Sequence, residues 1–163
     1  MRNVDKRSFE DIINDSLLNK KFNKLSNDEH HGITRYEHSI RVAKYSFLIS
    51  KKFGLKNVRD ITSAALLHDF YINNDLKGIY GLKKWKKHPS AALNNSLNYY
   101  NLNDMQKDII VNHMFPVTKT LPKYKESYLV SSVDKVVGLY EMLRYKIPFI
   151  FKKITIRKNL KCR

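Results

Sequence analysis

Apolar residues along the chain recur at spacings of three and four, the pattern of helices that each bury one face, and no strand-like alternation competes with it. Residues 8–25 open with Ser8 three positions before Asp11. Phe9, Ile12, Ile13, Leu17, Leu18 and Phe22 then form one stripe, so a capped amphipathic helix is predicted. The polar stretch 26–34, with His30, His31 and Gly32, reads as a loop. A second helix over 36–53, stopped by Gly54, carries Ile40, Ala43, Phe47 and Leu48 on its apolar stripe. A third, over 58–70, contains the most apolar run of the chain, Ala64-Ala65-Leu66-Leu67, and ends in His68-Asp69.

Residues 71–87 hold Asn73-Asn74-Asp75, Gly78 and Gly81 and read as a loop with at most short helical turns. A helix with Pro89 in its first turn is predicted to about residue 100, and Asn103 caps another ending near residue 114. Pro116 and Pro122 bound a connection. The last long helix, 125–146, is apolar on most of its circumference through Leu129, Val130, Val133, Val136, Val137, Leu139, Tyr140 and Leu143, which predicts a central position. Beyond Pro148, Phe149, Ile150, Phe151 and Ile154 mix with six basic residues, a tail suited to packing on the bundle or to an acidic partner. With 5 Gly and 4 Pro in 163 residues, the expectation is an all-α fold, a single bundle of about six to seven helices. One domain spans 1–163, with its core at about 30–145 and the first helix and the tail 147–163 as accessories.

Composition narrows the partners. Lys and Arg number 31 against 15 Asp and Glu, a formal net charge of +16, so the surface attracts anions such as nucleotides, nucleic acid or acidic lipid. The richness in Lys, Asn, Ile and Tyr equally matches coding from an AT-rich genome, which makes part of the basicity background. The single cysteine, Cys162, forms no internal disulfide and fits a reducing compartment. The N-terminus is charged and nowhere do roughly 18 apolar residues run together, so a cytoplasmic protein without a membrane span is expected.

Chemistry enters through polar residues where a core is expected. Asp134 stands among Val130, Val133, Val136 and Val137, His68 and Asp69 end the Ala-Ala-Leu-Leu run, and His38 heads an apolar stripe. Each alone has a structural explanation, such as a histidine bonded to backbone. Four on three helices call for a partner or a metal. Imidazole and carboxylate together suit a divalent transition metal such as Fe, Mn, Zn, Co or Ni. Adjacent helical residues diverge by ~100°, so His68 and Asp69 reach one ion only near a helix end or from either side of it.

Three segments, Tyr36-Glu37-His38-Ser39-Ile40-Arg41-Val42-Ala43, Ala64-Ala65-Leu66-Leu67-His68-Asp69 and Ser131-Ser132-Val133-Asp134-Lys135, stand in the order histidine, His-Asp doublet, distant aspartate. This resembles the HD superfamily of metal-dependent phosphohydrolases over about residues 30–145. The resemblance implies His38, His68, Asp69 and Asp134 as ligands of one metal. Branches with two further histidines hold a second ion, and His88 and His113 fall in matching order, with Asp69 bridging. Otherwise His88 is a solvated residue after Lys86-Lys87, and His113 a helix-end histidine favoured by the dipole. The Gly-Tyr-Pro element of the cyclic-dinucleotide phosphodiesterase branch is missing, while the histidine spacing is similar to that of small bacterial dinucleoside tetraphosphate hydrolases.

The activity so implied is hydrolysis of a nucleotide-type phosphoester or phosphoanhydride by water activated on two divalent ions. Asp69 is the expected catalytic centre. Arg41, one turn beyond His38, is expected to clamp a phosphate or to pair with a carboxylate, Arg35 and Lys135 to meet substrate charge, and Asp75 to act as general acid. His30 and His31 line the mouth or lie on a surface loop. Two rivals remain: a basic nucleic-acid-binding bundle without chemistry, which leaves Asp134 and the doublet unexplained, and a metal-dependent sensor.

Overall fold

The computed structural model describes residues 8–30 and 32–147, and the described chain is all-α apart from one two-residue β ladder. Seven α-helices are present among the described residues: α1 Phe9–Leu17, α2 Lys20–Asn23, α3 Arg35–Lys52, α4 Val58–Leu67, α5 Gly81–Leu97, α6 Asp104–Asn112 and α7 Lys125–Glu141. The two short strands, β1 Glu29–His30 and β2 Ile33–Thr34, pair antiparallel within the stretch expected to be loop. His31, Cys162 and the apolar-basic tail beyond residue 147 lie outside the described residues. No helix among those described is long and apolar enough to cross a membrane.

Local chemistry sets the helix starts. Ser8 and Asp11 cap α1 reciprocally, each backbone N–H donating to the other's side chain at 3.0 and 3.1 Å. The single first helix expected over 8–25 is broken, because Asn19 Oδ1 accepts the N–H groups of Lys21 and Phe22 and starts α2 afresh. The break turns Phe22 fully into the core and leaves Leu18 on the surface at 80% exposure. Thr34 and Glu37 form the same reciprocal cap on α3, as do Asn103 and Gln106 on α6.

Two further expectations are corrected. The helix placed from Pro89 begins eight residues earlier, at Gly81, and Pro89 lies inside it. Pro89 removes one ladder bond and crowds the carbonyl four residues back, about 3 kcal/mol, and Leu82, Lys83, Lys84, Lys86 and Lys87, all good helix formers, carry the preceding turns. The last helix is not central. Val130, Val133 and Val137 are buried on one face, while Val136, Leu139, Tyr140 and Leu143 are each at least half exposed among the described residues. Apolar character all round α7 meets its partners on one side, chiefly α3 and α6 with α4 beside them. At its end α7 widens into a π-helical turn, Met142–Lys146.

The core is centred on α3 and α4, the most extensively packed pair. Buried Ser39, Ala43, Ser46 and Ser50 on α3 recur at helical spacing, and with Ala64 and Ala65 on α4 they suit a close approach of the two backbones. Phe22, Leu25, Ile61, Leu66, Phe70, Ile109 and Ile110 fill the surrounding space. Asp108, buried on α6, fixes the start of α7: it accepts from Ser127 Oγ at 2.6 Å and from the Lys123 and Tyr124 N–H groups at 3.0 and 3.4 Å. The anchored position matters for the site, because Ser127, Asp134 and Glu141 are seven residues apart and share one face of α7.

Candidate metal centre

His68 and His113 occupy equivalent positions, each the C-terminal cap of its helix, α4 and α6. A helix end leaves carbonyls without a partner, and each ring takes one: His68 Nδ1 bonds to Ala65 O and His113 Nδ1 to Ile110 O, both at 2.7 Å and both three residues back. His88, buried within α5, places Nδ1 3.2 Å from Lys84 O. His38, in the first turn of α3, places Nδ1 2.7 Å from Glu141 Oε2. Carbonyl and carboxylate oxygens only accept, so each Nδ1 carries a proton and each Nε2 faces inward, the atom left to ligate once a cation takes the place of any proton on it.

Those four nitrogens converge with two carboxylates. His38 Nε2 lies 3.0 Å from Asp134 Oδ1, and His68 Nε2 lies 3.5 Å from the same oxygen and 3.9 Å from Asp69 Oδ2. Asp69 turns its other oxygen toward His88 Nε2 at 3.3 Å and His113 Nε2 at 3.7 Å. The ligand atoms of His38, His68 and Asp134 all lie within 4.8 Å of one another, as do those of His68, Asp69 and His113. All six residues expected to ligate are therefore brought together. His88 and His113 are buried, which overturns the solvated reading of His88.

Two observations test whether a cation fits. His68 Nε2 is buried and makes no well-formed hydrogen bond, the nearest carboxylate oxygen, on Asp134, lying 3.5 Å away. His88 Nε2 and His113 Nε2 face each other at 2.8 Å, and with both Nδ1 atoms on carbonyls, two lone pairs meet there with no proton between them. A cation resolves both. The C-terminal ends of α4 and α6 add partial negative charge to the same place.

Electrostatics divides the cluster in two. Burial, with His68 and His88 as neighbours, drives His113 down to about 3, and burial also lowers His88, so both are neutral imidazoles ready to ligate. Burial disfavours charge on His38 as well, yet the hydrogen bonds its ring donates to Asp134 and Glu141, with the attraction of the nearby carboxylates, outweigh it and raise the ring to about 10. Burial disfavours charge on His68 too, but Asp69 and Asp134 together outweigh it and raise the ring, and Asp134 is held well below the usual carboxylate range by His38 and His68 in spite of burial.

The residues expected at the substrate are held by the protein. Arg35 is buried, with Nη1 on Asp28 at 2.7 Å and on Tyr71 O at 2.9 Å, its guanidinium 4.0 Å above the Tyr71 ring and Nε 4.0 Å from Asp69. It backs Asp69 rather than facing solvent. Arg41 pairs with Glu141. Lys135 Nζ donates to His113 O at 3.0 Å and to Ser131 Oγ at 2.6 Å, beside the cluster. Asp75 accepts from Ile72 N and Asn95 Nδ2, both outside the ligand set, so its contacts give the general-acid role no support.

Three contributors were missed in the sequence. Tyr71 stacks on His88 with centroids 5.3 Å apart, Asp28 holds Arg35, and Glu141 meets His38. Only Glu141 carried a signal, its spacing of seven from Asp134 on one helix.

The HD domain model matches residues 35–139, nearly two thirds of the chain, and spans all six ligand candidates. The chain belongs to the HD domain family. No curated protein and no solved structure matches it. As an HD domain protein it falls in the general class of metal-dependent hydrolases, and its His/Asp groups are of the kind that hold divalent metal. Its doublet, His68-Asp69, stands where α4 ends, the position from which adjacent residues reach one centre.

Proposed function

We propose that this HD domain protein is a phosphohydrolase that cleaves a phosphoester or phosphoanhydride of a nucleotide-type substrate with water as nucleophile. Two divalent transition-metal ions, Fe or Mn, would be held by His38, His68, Asp69 and Asp134 on one side and by His88, His113 and the second oxygen of Asp69 on the other. The observation that carries this reading is the convergence of four Nε2 atoms on Asp69 and Asp134, with every Nδ1 already committed to an acceptor.

Bound divalent metal supplies the Lewis acidity that makes water nucleophilic near neutral pH and draws charge from a phosphoryl oxygen. The chain supplies position. Asp69, backed by Arg35, offers one oxygen to each half of the centre. Lys135, beside His113, would meet a phosphate oxygen by giving up one of its contacts to His113 O, Ser131 O and Ser131 Oγ, and the net charge of +16 draws anions toward the surface. A lone cysteine supports a reducing, cytoplasmic setting, and residues 1–163 are taken as one domain.

The test is a hydrolysis screen over mononucleotides, dinucleoside polyphosphates, cyclic nucleotides and guanosine tetraphosphate, with Mn or Fe added, comparing wild type with Asp69→Ala. Metal-dependent turnover of at least one class, abolished by the substitution, is expected. No turnover, or turnover that Asp69→Ala leaves intact, contradicts the proposal. Salt-sensitive nucleic-acid binding that survives the substitution would favour the non-enzymatic rival.

A further inference from the structure

Glu141 lies two residues beyond the matched HD span, its side chain fully buried, and its two oxygens serve different partners. Oε2 accepts from His38 Nδ1 at 2.7 Å and Oε1 accepts from Arg41 Nη1 at 2.5 Å. His38 differs from the other three histidines for a reason of position. His68 and His113 stand at helix C-termini, where unpartnered carbonyls are available, whereas His38 stands in the first turn of α3, where the unpartnered groups are N–H donors. An imidazole there must find its acceptor on another element. The face of α7 that brings Asp134 to Nε2 of His38 brings Glu141, two turns on, to Nδ1 of the same ring.

We infer that Glu141 is a positioning residue of the metal centre, holding the His38 proton on Nδ1 so that Nε2 points its lone pair at the ion, and that Arg41 holds Glu141. The inference rests on the metal-binding reading given above. It moves Arg41 from the substrate to the support of a ligand. A carboxylate also makes the ring it serves a stronger donor than a backbone carbonyl does, and outer partners of this kind are worth about ten- to hundredfold in metal affinity.

The geometry makes a specific demand on glutamine. Arg41 has only donors and His38 Nδ1–H needs an acceptor, so Glu141 must accept on both sides. A glutamine accepts on one side and presents N–H on the other. Whichever way it turns, it either confronts Arg41 with a donor or confronts His38 with one. The second outcome pushes the ring proton onto Nε2 and blocks the lone pair. Removing the guanidinium relieves the conflict, since the glutamine oxygen can then face His38.

The experiment measures Mn and Fe affinity, by competition with a chromogenic chelator and without substrate, for wild type, Glu141→Gln, Arg41→Gln and the double variant, with folding checked by circular dichroism. Glu141→Gln is expected to weaken binding by about ten- to hundredfold, Arg41→Gln by less, and the double variant to regain most of the loss. A residue that only stabilises the fold would lower the melting temperature without this recovery. A folded Glu141→Gln protein with wild-type affinity overturns the inference and leaves the metal reading intact. Should Glu141→Gln not fold, Arg41→Gln decides, because that side chain is partly exposed: unchanged metal affinity would overturn its role as support. Wild type that binds neither metal overturns the metal reading, and the inference with it.

Discussion

Replacing Arg35 with methionine separates two roles for a buried cation. The substitution keeps most of the side-chain length and removes the guanidinium, which is 3% exposed and bonded to Asp28 at 2.7 Å and to Tyr71 O at 2.9 Å. Breaking a buried ion pair from one side costs about 3–5 kcal/mol. Asp28 keeps two hydrogen bonds from Asn73 and is itself 12% exposed, so its share falls toward the lower figure. The Tyr71 carbonyl, left without this donor, adds about 1 kcal/mol. Arg35→Met should therefore destabilise the protein by about 3–5 kcal/mol, lowering the melting temperature by roughly 6–20 °C for a chain of this size. Urea and thermal denaturation of the metal-loaded protein provide the measurement. A variant within about 1 kcal/mol of wild type, with a raised KM, would refute the reasoning and return Arg35 to the substrate.

Asp75→Asn should leave turnover within about twofold, since its oxygens cap a turn and meet Asn95, whereas loss of a general acid costs about 10²–10⁴-fold; steady-state kinetics decides. His88→Ala should lower the bound metal from about two ions per chain to one, read by elemental analysis, and a variant that keeps both would remove His88 from the ligand set. The chelated protein should show opposite pH limits, read by chemical denaturation. His38, raised to about 10, gives stability that is full below its ordinary value of 6.5 and is lost as pH rises through 10. His113, lowered to about 3, gives stability present above 6.5 and lost as pH falls toward 3. A flat profile between pH 7 and 10 would contradict the first of these.

The candidate ligands stood out because they violate burial rules: His38, His68, Asp69 and Asp134 interrupt apolar stripes, and only a partner or a metal resolves that. Helix starts were legible where a capping pair marks them, as at Ser8, Thr34 and Asn103. Pro89 misled because proline is favoured in first turns and costs about 3 kcal/mol inside a helix, a cost that this helix bears. Leu18 misled because an apolar stripe continues through Asn19, whose side chain restarts the helix. The burial of α7 was overread, since period alone says which residues share a face, not which faces find neighbours. Pairings across the fold, Arg35 with Asp28 and Tyr71 over His88, depend on tertiary placement that no local spacing encodes, and the seven-residue spacing of Glu141 from Asp134 gives its face of α7 but not its partner His38.

The central claim is that the His/Asp cluster exists to hold metal. Elemental analysis of purified wild type and Asp69→Ala, after loading with Mn or Fe and removal of the excess, tests it most directly. The account expects about two ions per wild-type chain and at most one, weakly held, in the variant, because Asp69 is the only carboxylate among the six ligand candidates whose oxygens approach histidines of both halves. Wild type free of metal after loading, or a variant that retains two ions, would contradict it.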